Sequence, residues 1–383
     1  MKTKASDLHY EPSESNITVR MRIDGVLHKV FDLKPSLYSQ ISEQIKYQSK
    51  MRLNVSLVPQ DGRYLFNFNE NKVGVRVSSI PTPNGESFVC RYLPSDKKVL
   101  TLEELGFQGL ALTKLQKAAN ISQGMILITG PTGSGKSTTL FSMLGLMNSP
   151  ENKVITLEDP VEYYIDGVTQ SQISEKDGYD FSGGLRSILR QDPDIVMLGE
   201  IRDLKTAETA AQASLTGHVL LSTLHTNSAL EAIPRLINMG LPAFVAAPSL
   251  NTIVAQRLVR KVCPSCSLKE PINDSAKKEF ETVLNNLKAV NSGIDTEVPV
   301  EIPKIVGCDK CSNTGYLGRI VIDEVITISS EMKRLILNNK SSVDLIAAAR
   351  KEGITTMRED GYLKVAQGLT TLEEVYRVTN VLS

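Results

Sequence analysis

Apolar and polar positions follow two different rhythms along this chain, and the change comes near residue 94. Before it, Ile17-Thr-Val-Arg-Met-Arg-Ile23 alternates with period two and breaks at Asp24-Gly25, predicting a strand that runs into a hairpin turn. Residues 35–48 carry the spacing of an amphipathic helix. Residues 64–68, 73–80 and 87–93 read as further strands, separated by turns rich in Asn, Pro and Gly. The expectation is a small α+β domain over residues 1–96 with its own core. Pro94-Ser-Asp-Lys-Lys98 then reads as a polar linker, and Thr101-Leu-Glu-Glu104 as a capping box that starts the next domain.

From Leu110 onward, short continuous apolar runs alternate with helical stretches. Residues 125–129, 154–157, 195–198 and 219–224 are the predicted strands, and the run from Thr138 to Met147 a predicted helix. Such alternation predicts an α/β domain over residues 97–258, with a mostly parallel sheet and helices on both faces. Ligands in that architecture bind at the carboxyl ends of the strands. Beyond residue 258 two cysteine pairs bracket a charged, partly helical insert over 273–291, which predicts a cysteine-bearing subdomain over 259–325. Residues 326–383 read as helical, punctuated by Gly353, Gly361 and Gly368.

Composition narrows the partners. The 383 residues carry 43 Lys+Arg against 43 Asp+Glu, so there is no global basic field and direct nucleic-acid binding is not expected. No apolar run approaches the roughly 18 to 20 residues of a membrane span, and the N-terminus lacks the apolar core of a signal peptide. The expectation is a cytoplasmic protein that reaches a membrane only through partners.

The strongest chemical signal is Gly130-Pro131-Thr132-Gly133-Ser134-Gly135-Lys136-Ser137, followed by Thr138. It fills every fixed position of a phosphate-binding loop, between a predicted strand and a predicted helix. Backbone N–H groups would cradle the phosphates of ATP at the helix N-terminus, Lys136 would reach the β- and γ-phosphates, and Ser137 would supply an oxygen to Mg²⁺. Ile195-Val-Met-Leu-Gly-Glu200 reads as the second element of such a site, with Gly199 where an Asp is usual and Glu200 the remaining acid. Val154-Ile-Thr-Leu-Glu-Asp-Pro-Val-Glu162 ends in the carboxylates of Glu158, Asp159 and Glu162. Acids so close to a triphosphate repel it unless Mg²⁺ or arginines intervene, so they point to water activation or metal-shell work. At least one of the three is expected to cap a helix instead.

Arginines complement them. Arg186 and Arg190 lie four apart on one helix face, Arg202 follows Glu200 by two, and Arg76 and Arg91 sit on strands of the first domain. A guanidinium suits a γ-phosphate, but each of these could equally serve a surface ion pair. His225 stands at a strand's carboxyl end, in the place of a γ-phosphate sensor, with a structural role as the alternative. Cys263-Pro-Ser-Cys266 and Cys308-Asp-Lys-Cys311 read as a tetrathiolate zinc site, the alternative being two inert thiol pairs. Cys90 reads as a small apolar strand residue.

Taken in order, these segments resemble the type II secretion and type IV pilus assembly ATPases. The likeness covers nearly the whole chain. It includes Ala5-Ser-Asp-Leu-His-Tyr-Glu-Pro12, Val19-Arg-Met-Arg-Ile-Asp-Gly-Val-Leu27, Pro59-Gln-Asp-Gly-Arg63, Val75-Arg-Val-Ser78 and Gly85-Glu86 through Arg91. It continues through the Walker A loop, the Asp box Glu158-Asp-Pro-Val-Glu162, Arg186 to Asp194, the Walker B segment Gly199-Glu200-Ile-Arg-Asp203 and the His box Thr216-Gly-His-Val-Leu-Leu-Ser-Thr-Leu-His225. The resemblance implies a RecA-like P-loop NTPase core with a PAS-like first domain and a zinc-binding subdomain. It implies Lys136, Glu200, Glu162 and His225 as catalytic residues, Glu200 being the Walker B acid and Glu162 an Asp-box acid. Arg76 and Arg91 would reach the nucleotide from the first domain, with Arg186, Arg190 and Arg202 nearby. It further implies a homo-hexamer driving pilus or pseudopilus assembly through an inner-membrane platform protein and a membrane-anchored adaptor. A tetracysteine site is typical of the secretion and pilus-extension branch. Members of that branch usually carry a further N-terminal domain, so a chain starting at this phrase is expected to be a short form or a truncation. The alternatives are a related DNA-transfer or uptake ATPase, and a nucleotide-binding structural ring with vestigial hydrolysis.

Overall fold

The computed structural model describes residues 5–68, 71–94, 99–162, 164–290 and 296–379. The chain divides into two compact units, Met1–Lys98 and Val99–Ser383.

The first unit holds strands β1 (Ala5–Pro12), β2 (Ile17–Ile23) and β3 (Val26–Leu33), helix α1 (Pro35–Gln48), and strands β4 (Gln60–Phe68), β5 (Asn71–Thr82) and β6 (Gly85–Pro94). They form one antiparallel sheet in the order β3-β2-β1-β6-β5-β4. Tyr38 and Ile45 of α1 bury against Val75, Val77, Phe88 and Cys90, so Cys90 is the apolar strand residue its setting suggested. Lys46 is buried beside them, where it pairs with Glu86 and donates to the carbonyl of Val55 at 2.8 Å.

The second unit opens with α2 (Leu102–Leu105), whose first turn is closed by the Thr101–Glu104 capping box, and α3 (Gly109–Ala118). Then follow β7 (Gly124–Thr129), α4 (Lys136–Met147), β8 (Val154–Glu158), β9 (Val168–Gln172), α5 (Phe181–Leu189), β10 (Ile195–Leu198), α6 (Leu204–Leu215) and β11 (Val219–Leu224). After α7 (Ala232–Asn238) and α8 (Ala243–Ser249) comes the long strand β12 (Leu250–Val262), then β13 (Leu268–Pro271), α9 (Asp274–Val290), β14 (Glu301–Lys304) and β15 (Tyr316–Thr327). Helices α10 (Ser330–Leu337), α11 (Ser342–Lys351), α12 (Met357–Ala366) and α13 (Leu372–Thr379) complete it.

Seven strands form a sheet in the order β15-β12-β7-β11-β10-β8-β9. All neighbours run parallel except the β12–β15 pair. Strands β7, β8, β10 and β11 are buried throughout, which is why they read as continuous apolar runs rather than alternating ones. Separate apolar cores cover the two faces, one built around Leu127, Leu157, Val196 and Leu220, the other around Ile126, Ile128, Met197 and Leu221. The sheet does not stop at residue 258. Strands β12 and β15 run antiparallel from Thr252↔Thr327 to Val262↔Tyr316, and the cysteine module is the chain that leaves the end of β12 and returns at the start of β15.

Candidate functional site

Strand β7 delivers the phosphate-binding loop to the carboxyl edge of the sheet. At its last residue, the Thr129 hydroxyl accepts the N–H of Thr226 at 2.8 Å and meets the Thr226 hydroxyl at 2.7 Å. This ties the loop's entrance to the end of β11, where His225 lies. Gly130 has φ +146°, and a Cβ there would stand 2.5 Å from the carbonyl oxygen of Gln256. A side chain at this position would therefore displace the loop from β12. Lys136 opens α4, and its Nζ donates to the carbonyls of Gly130 at 2.8 Å and Pro131 at 3.2 Å. Burial lowers the pKa of Lys136, while the charge of Glu200 opposes that shift. Pro131, Thr132, Gly133 and Ser137 are exposed, and Ser134 is buried.

The acids gather two and three strands away. After β10, Gly199 donates its N–H to Leu157 of β8 at 2.8 Å and its carbonyl accepts the Thr223 hydroxyl of β11 at 2.8 Å. The next N–H, of Ile201, donates to the Thr223 carbonyl, and Asp203 then caps α6 by accepting the N–H of Thr206 at 2.9 Å. The backbone around Glu200 is thus held on both sides. Glu200 accepts a hydrogen bond from Arg202 and lies 3.3 Å from Nε2 of His225. Burial raises its pKa, but the hydrogen bonds and charges of Arg202 and His225 outweigh this and leave it below the ordinary glutamate value. Arg202 also reaches Asp159 at 3.6 Å and lies over the Phe181 ring. Arg202 therefore links Glu200 to a second carboxylate, although Gly199 occupies the usual Asp position.

The other Asp-box acids behave differently. Glu158 is buried at the end of β8 and accepts from the Thr156 hydroxyl and from Gln170 at 2.9 Å; burial raises its pKa. Glu162 is exposed. None of the three caps a helix, contrary to the expectation for one of them, because β8 passes through a loop into β9 rather than into a helix.

The arginines divide. Arg202 joins the acidic cluster, whereas Arg186 donates to Ser182 at 2.7 Å and Arg190 to the carbonyl of Arg186 at 3.0 Å, both exposed along their own helix α5. In the first unit Arg76 and Arg91 are direct neighbours across the β5–β6 ladder. Arg91 pairs with the buried Asp7 at 2.7 Å. Burial pushes the Asp7 carboxyl up, and its bonds from Arg91 and Ser6 bring it below its usual range.

The four cysteines converge. Their sulfurs lie within 4.8 Å of one another, with Cys263–Cys308, Cys266–Cys311 and Cys308–Cys311 at 3.9, 3.8 and 3.8 Å. A tetrahedral zinc with bonds of about 2.3 Å requires sulfurs about 3.8 Å apart. The N–H groups of Cys308 and Gly315 point at Cys311 Sγ at 3.1 and 3.2 Å, the donor set a metal-bound thiolate needs. Against the opposing effect of burial, these bonds help bring the Cys311 thiol down to about 6. The cluster fits zinc.

Three polar residues at this end of the sheet, Gln256 and Glu324 buried and Arg257 half-buried, escaped the sequence reading. Gln256 donates from Nε2 to the Ser134 carbonyl at 2.8 Å. Its neighbour Arg257 donates to Asn227 at 3.2 Å, and Glu324 of β15 accepts the N–H of Ala229 at 3.0 Å. All three hold loops of the site from β12 and β15. The one available signal was polar residues interrupting otherwise apolar strand runs.

The model of the family described as "Type II/IV secretion system protein" matches residues 1–377. Among curated relatives, the chain is 42% identical over 379 residues to type II secretion system protein E of Pseudomonas aeruginosa, covering 99% of this chain and 73% of that protein. It is also 42% identical over 380 residues to the type IV pilus assembly ATPase PilB of the same organism, covering 99% of this chain but 65% of that one. Among solved structures, the ADP-bound pilus retraction motor PilT aligns with a TM-score of 0.63 at 24% identity, covering 99% of this chain and 94% of that one. The Legionella pneumophila ATPase DotB aligns with a TM-score of 0.69 at 20% identity, covering 99% and 93%. These two likenesses concern the fold.

Proposed function

The chain belongs to the Type II/IV secretion system protein family, and we propose that it is a motor ATPase whose hydrolysis of ATP powers pilus or pseudopilus assembly. The observation that carries the chemistry is the meeting of Lys136, Glu200, Arg202, Asp159 and His225 at the carboxyl ends of adjacent strands. The loop amides of residues 130–138 would hold the phosphates, with Lys136 exchanging its carbonyl partners for phosphate oxygens and Ser137 offering its hydroxyl to Mg²⁺. Mg²⁺, when bound, neutralises charge on the phosphates. Glu200, kept ionised by Arg202, orients and deprotonates the attacking water. His225 shares that carboxylate and so relates the β11 loop to its state. Asp159, carried by the same arginine, supplies the acid that Gly199 omits, which favours turnover over a vestigial site. Glu162, Arg76, Arg91, Arg186 and Arg190 remain proposed contributors, the acid toward water or metal and the arginines toward γ-phosphate.

In this reading the protein acts as a homo-hexamer in the cytoplasm, peripheral to the inner membrane through a platform protein and an anchored adaptor. Among the described residues no helix is long and apolar enough to cross a membrane. The four cysteines hold a structural zinc. The test is ATP turnover in an oligomerising preparation. Lys136→Ala should abolish it, and Glu200→Gln should still bind nucleotide while losing roughly 10²-fold or more in kcat. Full activity in either variant would sink the proposal.

A further inference from the structure

We infer that Gln256 is a positioning residue for nucleotide binding, acting through the Ser134–Gly135 peptide of the phosphate-binding loop. Strand β12 pairs with β7 as far as Ala255↔Thr129, so Gln256 lies beside the point where β7 leaves the sheet and becomes the loop. It touches the loop twice. Its own carbonyl lies 2.5 Å from where a Cβ on Gly130 would be, so only a glycine allows this approach. Its side-chain Nε2 donates to the Ser134 carbonyl at 2.8 Å and lies 3.2 Å from where a Cβ on Gly135 would be.

The consequence follows from peptide geometry. Among the described residues the cis peptide bond is Asp159–Pro160, so Ser134–Gly135 is trans. In a trans peptide the C=O and the following N–H point in opposite directions. Drawing the Ser134 carbonyl toward β12 therefore turns the Gly135 N–H away from the sheet edge, toward the space the loop encloses at the start of α4. An anion bound there needs its donors already aimed, and a peptide free to flip would present a carbonyl instead. Gln256 is completely buried and Asp323 opposite it on β15 is buried as well, so the amide stands on a rigid wall. Asp323 is itself held in a cluster with Lys364, which lies 3.6 Å away. Without the Gln256 donor the Ser134 carbonyl would lose its buried partner, and the penalty would fall on the conformation that binds phosphate.

This inference rests on reading the loop as an ATP site, and Lys136→Ala tests that reading separately. The experiment measures the Kd for Mg·ADP, the KM for ATP and the thermal midpoint of the full chain carrying Gln256→Met or Gln256→Glu. Methionine keeps the volume and removes the donor; glutamate sets an acceptor against a carbonyl. Kd and KM should rise together by roughly ten-fold in the methionine variant and further in the glutamate variant, exceeding any fall in kcat. A purely structural role would instead lower the midpoint and kcat with Kd and KM unmoved, and that result would overturn the inference. Wild-type Kd in a folded Gln256→Met protein, with Lys136→Ala weakened, would overturn it alone. Wild-type binding by Lys136→Ala would overturn the nucleotide-site reading and this inference with it.

Discussion

Replacing Glu324 by Gln should stabilise the protein above neutral pH and lose that advantage in mild acid. Glu324 is buried on β15, where its Oε1 accepts the N–H of Ala229 at 3.0 Å. Burial pushes its carboxyl from an ordinary 4.5 up to about 7, with the charges of Glu231 and Glu359 adding to the rise and the N–H groups of Ala229 and Leu230 opposing it. A raised carboxyl binds its proton more tightly in the folded chain. Its contribution to stability is therefore fully present below pH 4.5 and is lost as pH climbs toward 7. Linkage gives a cost of about 1 kcal/mol at pH 5 and about 3 kcal/mol at pH 8. Glutamine keeps an acceptor for Ala229 and never ionises. The fixed cost of burying its amide cancels when the two pH values are compared, leaving a differential of roughly 2 to 3 kcal/mol. At roughly 2 °C per kcal/mol for a unit of this size, the midpoint of the variant relative to wild type should shift upward by about 5 °C between pH 5 and pH 8. Thermal melts followed by circular dichroism at both pH values measure this. The same difference at the two pH values would refute the reasoning, because it would mean that Glu324 does not titrate between them.

Lys364 is fully buried and donates to the carbonyl of Val321 at 2.6 Å and to Asp360 at 2.5 Å, with Asp323 at 3.6 Å. Lys364→Met leaves two buried acids without their cation and should cost about 3 to 5 kcal/mol in denaturant melts, part of it recovered by adding Asp360→Asn. No loss of stability would show that the cluster is neutralised in some other way. Metal analysis should find about one zinc per chain, and Cys263→Ser should abolish it and expose α9 to limited proteolysis. Structural zinc sites carry an apparent binding free energy of about 10 to 16 kcal/mol, so an ordered but metal-free module would refute the assignment.

Much of the fold was legible because the relevant signals are local. Helix α1 begins at Pro35 and ends at Gln48 as its pattern indicates, and the β7, β10 and β11 runs are continuous because both faces of those strands are covered. Strands whose side chains are polar were not legible. Strand β1 reads Ala-Ser-Asp-Leu-His-Tyr-Glu-Pro, yet it lies between β2 and β6 with Asp7 paired to Arg91. Strand β9 reads Val-Thr-Gln-Ser-Gln and sits at the sheet's edge. Polarity in a sequence suggests exposure, and nothing local reveals that a partner on another strand has removed it from water.

The phosphate-binding loop, the helix behind it and the two cysteine pairs were determined by sequence alone. Each depends on residue types at fixed short spacing, and the glycines of the loop meet backbone conformations that the loop itself imposes. Tertiary structure decided which distant residues gather at that end of the sheet. Because the strand order is β12-β7-β11-β10-β8, His225 and Glu200 come from neighbouring strands, Asp159 joins them from β8, and Gln256 supports the loop from β12 on the other side. Arg186 and Arg190, equally conspicuous in sequence, lie along their own helix. Strand order follows from burying both faces of one sheet at once, a requirement on the whole chain that no short segment carries.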